Sequence, residues 1–231
     1  MGATGDTLAL LSRTRLFAGF TPSQLEPLLS QFRNRRFAAG SFIFQEGDPG
    51  DRLHLVTSGE VKISRTTEAG GEAVFAVLGP GELFGELAVL QEDALRSADA
   101  QALVETECLV IQRSVMVSFL QAHPAAMWRV ITVLSDYIRR KDESFADLAF
   151  HDIPGRVARK LLELAAARGA AEDSGTEVSV PLSQRNLAGL VGASRENVNR
   201  ALSRFASLGL IRLDRGRITI LRAEDLRRRG F

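Results

Sequence analysis

Leu182-Ser183-Gln184-Arg185-Asn186-Leu187-Ala188-Gly189-Leu190-Val191-Gly192-Ala193-Ser194-Arg195-Glu196-Asn197-Val198-Asn199-Arg200 reads as two short amphipathic helices, each preceded by a serine able to cap it (Ser183, Ser194) and joined through Gly192. That is the pattern of a helix-turn-helix. At about 100° per residue, Arg195, Glu196, Asn199, Arg200 and Ser203 fall within an arc of about 140°, and Val198, Ala201, Leu202, Phe205 and Leu208 take the other side. A charge run is usually a solvated face. Here the outward set holds two arginines, an asparagine and a glutamate, whose geometry suits guanine, adenine and cytosine edges, and they sit in the first turns, where such a helix enters the major groove. The reading favoured is DNA recognition by Ser183, Ser194, Arg195, Glu196, Asn199 and Arg200. Downstream, Ile211-Arg212-Leu213, Asp214-Arg215-Gly216 and Ile218-Thr219-Ile220 alternate like a small hairpin, a wing.

Upstream, His151-Asp152-Ile153-Pro154-Gly155 marks a boundary, because proline cannot continue a helix and disfavours helical geometry in the residue before it. Asp152 can cap a helix over Ile153 to Arg168, followed by a polar loop at Gly169 to Ser179. Before the boundary, Pro124 to Phe150 holds no glycine or internal proline and predicts one helix roughly 40 Å long. Met127, Ile131, Leu134, Ile138, Lys141, Phe145 and Leu148 recur at alternating steps of four and three, a heptad seam with one charge in it. A core stripe against the rest of the chain would give the same pattern. The helix outruns the face of a small barrel, which favours pairing with a second copy.

Nearer the N-terminus, residues 6 to 33 read as short helices resembling a lid, with Leu8, Leu10 and Leu11 on one face and Thr21-Pro22 starting a second segment. From about residue 36 short apolar stretches follow, at Ser41 to Phe44, Leu53 to Val56, Val61 to Ser64 and Ala73 to Leu78, closed by Gly47, Gly50, Gly59, Gly70, Gly71, Gly79 and Gly81. Turns at this spacing predict an antiparallel barrel or jelly roll ending near Gln112. Gly81-Glu82-Leu83-Phe84-Gly85-Glu86-Leu87-Ala88-Val89-Leu90 and then Arg96-Ser97-Ala98 place a Gly-Glu pair and an Arg-Ser pair around a short helical stretch. A glycine turn with a surface ion pair would look the same. The sharper reading is a phosphate cradle: Arg96 as bidentate donor, Ser97 and nearby amides as further donors, Glu86 accepting from a ribose hydroxyl, and Gly85 letting backbone approach the ligand.

Composition sets the limits. The 231 residues, 45% apolar and 25% charged with 7 prolines, describe an ordinary globular chain. The net charge of +1 is uneven: residues 1 to 150 carry 14 basic and 19 acidic side chains, so −5, whereas residues 151 to 231 carry 15 and 9, so +6. A basic C-terminal third fits a phosphate-backbone binder. The single cysteine, Cys108, excludes an internal disulfide framework and any four-cysteine iron-sulfur or zinc site within one chain. No apolar run approaches a membrane span and the first residues lack a signal-peptide pattern, so the expected location is cytoplasmic. No metal-ligand cluster, activated cysteine or nucleotide-hydrolase phosphate loop is present; catalytic and metal residues are expected to be none.

The order of barrel, Gly-Glu-Leu with Arg-Ser eleven residues on, long helix and winged helix-turn-helix resembles the cyclic AMP receptor protein and fumarate-nitrate regulator (CRP/FNR) family of bacterial transcription factors, over essentially the whole chain. The resemblance implies an α+β protein: a β-roll (jelly-roll) cyclic-nucleotide-binding domain with N-terminal helices over 1–122, a dimerisation helix and hinge over 123–152, and a winged helix-turn-helix over 153–231. It also implies a cyclic nucleotide, cyclic AMP or similar, at Gly85, Glu86, Leu87, Arg96 and Ser97, and a homodimer on a palindromic double-stranded DNA site resembling TGTGA. RNA polymerase is the implied partner. In the family's cyclic-AMP binders, small polar residues on the long helix contact the adenine; here those positions are Lys141 and Asp142, which points to altered base preference or affinity. Two rival readings are a ligand-independent regulator of the same family, which Lys141 favours, and a cyclic-nucleotide sensor module acting through protein partners. The family's iron-sulfur sensors are excluded by cysteine count, and His54, His123 and His151 are scattered as structural histidines are.

Overall fold

In the computed structural model the described residues are 2–14, 16–66, 72–166, 178–181, 183–214 and 217–229. Gly70, Gly71, most of the expected loop at Gly169 to Ser179, Leu182 and the wing tip at Arg215-Gly216 lie outside them. The chain divides into two compact units, residues 1–138 and 139–231.

The first unit opens with α1 (Gly2–Arg13) and α2 (Pro22–Leu29), the latter with Thr21 at its N-cap and Pro22 in its first turn. Among the described residues eight strands follow: β1 (Arg33–Phe37), β2 (Phe42–Phe44), β3 (Arg52–Ser58), β4 (Val61–Thr66), β5 (Glu72–Leu78), β6 (Leu83–Phe84), β7 (Asp99–Ala102) and β8 (Thr106–Gln112). They form two antiparallel sheets in the orders β1-β8-β3-β6 and β2-β7-β4-β5, the pairing of a jelly roll. Arg33 already belongs to β1, so the N-terminal helices end earlier than expected; β8 ends at Gln112, as the sequence suggests.

Between the sheets Val56, Val61, Phe84, Ala100, Cys108 and Val110 form a closed core. A second, larger core explains the N-terminal helices. Leu11, Phe17, Phe20, Leu25 and Leu28 pack with Leu53, Leu55, Leu109 and Ile111 from β3 and β8, and with Met116, Phe119 and Leu120 of α4 (Arg113–Ala122). These helices are therefore structural and not a lid. The apolar alternation of β3 faces both ways, which is why Leu53 through Val56 are all buried.

The long helix α5 runs Pro124–Phe150 as the sequence predicts, and the division between units falls inside it. Its last turns pack in the second unit: Arg159 Nε lies 3.1 Å from Asp147 Oδ1. α6 (Ile153–Ala166) follows, its Gly155 amide donating to Asp152 Oδ1 at 2.8 Å, the expected cap. Then come β9 (Val178–Pro181), α7 (Gln184–Val191), α8 (Arg195–Ser207), β10 (Ile211–Asp214), β11 (Arg217–Ile220) and α9 (Ala223–Arg227). β10 and β11 make the expected hairpin, but β9 joins it in the order β10-β11-β9. Val178 and Ser179 are thus strand rather than loop, because Val178 and Val180 pair with Ile220 and Ile218.

Candidate functional site

Two assemblies bring together the side chains that carry chemistry. The first surrounds Arg96. Gly85 has φ +81 and precedes α3 (Glu86–Leu90). A Cβ there would meet Arg96 Nη1 at 2.6 Å and the Arg52 carbonyl at 3.1 Å, so only glycine lets the guanidinium pass. Arg96 is 5% exposed. Its Nη1 donates to the Gly85 carbonyl at 3.1 Å and its Nη2 to the Arg52 carbonyl at 2.7 Å. The plane rests on Phe44, 4.2 Å from the ring centroid, a cation-π shelf. Its Nε is buried and has no hydrogen-bond partner among the described residues. Buried charged donors are ordinarily matched by an acceptor, so this nitrogen is the unmatched group of the cluster. Burial pulls the Arg96 pKa below the ordinary guanidinium value, opposed by Asp51 and Asp48.

Glu86 starts α3, and burial raises its pKa while Arg96 acts in the opposite direction. Ser97 and Leu87 are exposed beside this cluster. Lys141, half-buried, and Asp142, exposed, are residues of the second unit. Cys108 is buried, with its thiol pushed up to about 12 by desolvation, so it carries no nucleophile. Among the described residues no group of three or more metal-ligating side chains occurs, and no helix is long and apolar enough to cross a membrane.

Sequence reasoning missed the underside of this cradle. Phe44, which lies under Arg96, clusters with His54 and Phe84: the His54 ring is stacked on Phe84 at 4.9 Å and 20° and tilted against Phe44 at 5.6 Å. These residues are brought together by the pairing of His54 with Phe84 across β3 and β6, and no local spacing links them to Arg96. Burial first, then Arg96 and Arg52, pull the His54 pKa down to about 3. His54 is neutral in the folded chain, while the unfolded chain takes a proton below about 6.5. Stability from this group is complete above 6.5 and falls as the pH drops toward 3, by up to about 1.4 kcal/mol per pH unit, roughly 2 kcal/mol by pH 5. Glu86, with its raised pKa, works with the opposite sign, so the comparison is made between two proteins at each pH. Chemical denaturation of wild type and His54→Phe is expected to give curves that diverge below pH 6.5, the variant being the less acid-labile; parallel curves would contradict a buried neutral imidazole.

The second assembly is the helix pair. Ser183 Oγ accepts from the Asn186 amide at 3.1 Å and Ser194 Oγ from the Asn197 amide at 3.3 Å, so both serines cap as the sequence predicts. Gly192 turns the chain at φ +60, where a Cβ would sit 3.0 Å from Leu148 Cδ2 of α5. Val198, Ala201, Leu202 and Phe205 are buried; Arg195, Glu196, Asn199 and Arg200 are exposed. Leu208 departs from expectation: it is the C-cap of α8, beyond the helical stripe, and is exposed. The Glu196 carboxyl is held below its ordinary pKa by its own backbone amide and by the Ser194 hydroxyl, and remains an acceptor.

A jelly roll with a buried arginine, followed by a long helix and a winged helix-turn-helix, defines a regulator of the DNA-binding class. Residues 34–123 match the cyclic nucleotide-binding domain family and residues 155–229 the Crp-like helix-turn-helix domain. The chain is 38% identical over 221 residues to the CRP-like cAMP-activated global transcriptional regulator of Mycobacterium tuberculosis, covering 96% of this chain and 98% of that one. It is 35% identical to the cyclic AMP receptor protein of Thermus thermophilus, covering 94% and 96%. Among solved structures it is similar to the c-di-GMP responsive global regulator CLP of Xanthomonas campestris, at 25% identity and TM-score 0.74 over 87% of this chain and 99% of that one. The chain belongs to the CRP/FNR family of transcription regulators.

Proposed function

We propose that two copies of this chain pair along α5 and bind a palindromic, TGTGA-like DNA site when a cyclic nucleotide fills the Arg96 cradle. The observation that carries the ligand half is the Arg96 guanidinium: its terminal nitrogens are anchored on two carbonyls while its buried Nε has no partner. A cyclic phosphate supplies the missing acceptor, with Gly85, Leu87 and Ser97 lining its approach and Glu86 taking a ribose hydroxyl. The relatives named a cAMP-activated regulator and a cyclic AMP receptor protein support cyclic AMP as the first ligand to test. Lys141 and Asp142 bear on the base: an ammonium has no acceptor for an exocyclic amine, whereas a carboxylate has.

The pairing half rests on the seam. Met127, Ile131, Ile138, Phe145 and Leu148 are 49%, 50%, 59%, 74% and 50% exposed, a row of large apolar side chains along one helix that a second copy would cover. On DNA, Arg195, Glu196, Asn199 and Arg200 read base edges from the start of α8, and the two recognition helices sit about 34 Å apart, one helical turn. RNA polymerase is the downstream partner in this reading, and the site of action is the cytoplasm.

The deciding experiment is a gel shift of the full chain on a palindromic TGTGA-type duplex titrated with cyclic AMP and cyclic GMP, alongside calorimetry and sedimentation. Ligand heat, a dimer and ligand-dependent retention are expected. Equal retention without any nucleotide, with no heat at millimolar ligand, would establish the ligand-independent regulator that Lys141 favours. Replacing Arg195 with alanine is expected to cost about 1–3 kcal/mol and to relax preference at one base pair. Binding-site selection reads this directly: the same motif from both proteins would remove Arg195 from the reading set.

A further inference from the structure

Inside the second unit, the end of α5 and the body of α6 hold three titratable side chains against one another. The His151 amide donates to the Asp147 carbonyl at 3.1 Å, so the helical ladder of α5 runs one residue past Phe150 and sets His151 one turn above Asp147. Arg159 comes from α6, and its Nε lies 3.1 Å from Asp147 Oδ1. The imidazole Nε2 stands between the two charges, 3.5 Å from Arg159 Nη1 and 3.8 Å from the same Asp147 Oδ1. His151, Asp147 and Arg159 are 26%, 28% and 31% exposed, so water screens the cluster only in part. Of the neighbouring groups, Asp152 accepts the Gly155 amide at Oδ1, and α9 approaches through the Arg229 carbonyl, 3.6 Å from the Cβ position at Gly155. Leu148, next to Asp147, abuts the Gly192 turn. The end of α5 therefore meets α6 through Asp147 and the helix pair through Leu148.

We propose that Asp147, His151 and Arg159 form a proton-operated clasp that fixes the angle at which α6 and the helix pair leave the end of α5. The inference rests on the DNA-binding reading above and adds a regulation to it. A neutral imidazole with its proton on Nδ1 accepts at Nε2 from Arg159 Nη1, while Arg159 Nε holds Asp147, so α5 is tied to α6. A proton on Nε2 removes that lone pair and sets a second cation against the guanidinium. Asp147 then has a cationic partner four residues on along its own helix as well as one on α6. The imidazolium repels Arg159 and draws the carboxylate, so the bridge between helices is exchanged for one within α5. Histidine is the side chain that makes this change of charge between about pH 5 and 8. Released from Asp147, α6 and the helix pair sample more orientations at the end of α5, and DNA selects a smaller fraction of them, which lowers affinity.

The test uses the full-length chain and fluorescence anisotropy on a palindromic TGTGA-type duplex at fixed salt, in the ligand state that binds best, from about pH 8 to about pH 6. Wild-type affinity is expected to fall across that range by about two- to five-fold per chain, the scale of one part-exposed ion pair, and by the square of that for a pair of chains. His151→Gln keeps a polar side chain that gains no proton, and its affinity is expected to stay at the level wild type shows at the alkaline end. Asp147→Asn has no carboxylate to exchange and is expected to bind at the wild-type acid-end level at every pH. A merely structural histidine would change affinity by one factor and leave the two pH profiles parallel. Parallel profiles for wild type and His151→Gln, or a wild type that gains affinity over the variant on acidification, overturn the inference and leave the DNA-binding reading intact. Wild type without affinity for any duplex at any pH overturns both.

Discussion

Arg96→Leu is expected to abolish cyclic-nucleotide binding, lowering affinity by about 100-fold or more and leaving no measurable heat at ligand concentrations that saturate wild type. The side chain offers a charged fork to an anion in a partly dry site, where each charge-assisted hydrogen bond contributes about 1.5–3 kcal/mol. Leucine removes the fork and also leaves the carbonyls of Gly85 and Arg52 without the donors they now have at 3.1 and 2.7 Å. Leaving those buried acceptors unmatched costs on the order of 1–3 kcal/mol each, so thermal stability of the first unit is expected to fall as well. Arg96→Lys separates the two effects: it keeps a charge above Phe44 but cannot serve two carbonyls and a phosphate with a planar fork. A folded Arg96→Lys protein that binds cyclic AMP as wild type does would remove the fork from the account.

Gly59→Ala is expected to destabilise the jelly roll severely. Gly59 turns the chain between β3 and β4 at φ +87, and an added Cβ would lie 2.4 Å from Thr106 Oγ1, 2.6 Å from the Glu105 carbonyl and 2.7 Å from Thr106 Cα. Two of the three obstacles are backbone, so no rotamer change relieves them. The left-handed conformation alone costs an alanine about 1–2 kcal/mol. Displacing packed backbone adds roughly 1–3 kcal/mol or more. Thr106 is also the hub of the turn, its hydroxyl donating to the Val104 carbonyl at 2.9 Å and accepting from the Glu60 amide at 3.3 Å. The sum is a large share of the total stability of about 5–15 kcal/mol typical of a domain. Gly47 supplies the control: it has φ +86 but nothing within 4 Å of its Cβ position, so Gly47→Ala is expected to cost only the conformational part. Differential scanning calorimetry that finds the two variants equally stable would show that the Gly59 turn does not pack on Thr106.

The legible parts of this chain were those encoded within a few residues. Serine caps at 183 and 194, the turn at Gly192 and the uninterrupted run from Pro124 to Phe150 are local signals, and the structure places them where the residues do. The strands from Phe42 to Leu78 were legible for the same reason, since glycines with positive φ close them at Gly47, Gly59 and Gly81. β9 was not legible. Its few residues follow a polar stretch, and only pairing with β11 makes Val178 to Pro181 a strand. The burial of Lys62, which pairs with Glu72 across the β4–β5 hairpin, likewise has no local signature.

Residue order settled an antiparallel strand-rich first unit, the long helix and the hairpin of the wing, because turn chemistry, capping and apolar periodicity act over one to four positions along the chain. Tertiary structure alone decided what surrounds Arg96 and where the long helix passes from one compact unit to the other. Phe44, His54 and Phe84 come from separate strands. Contacts of that kind are set by register and packing between distant segments, and no local propensity encodes them.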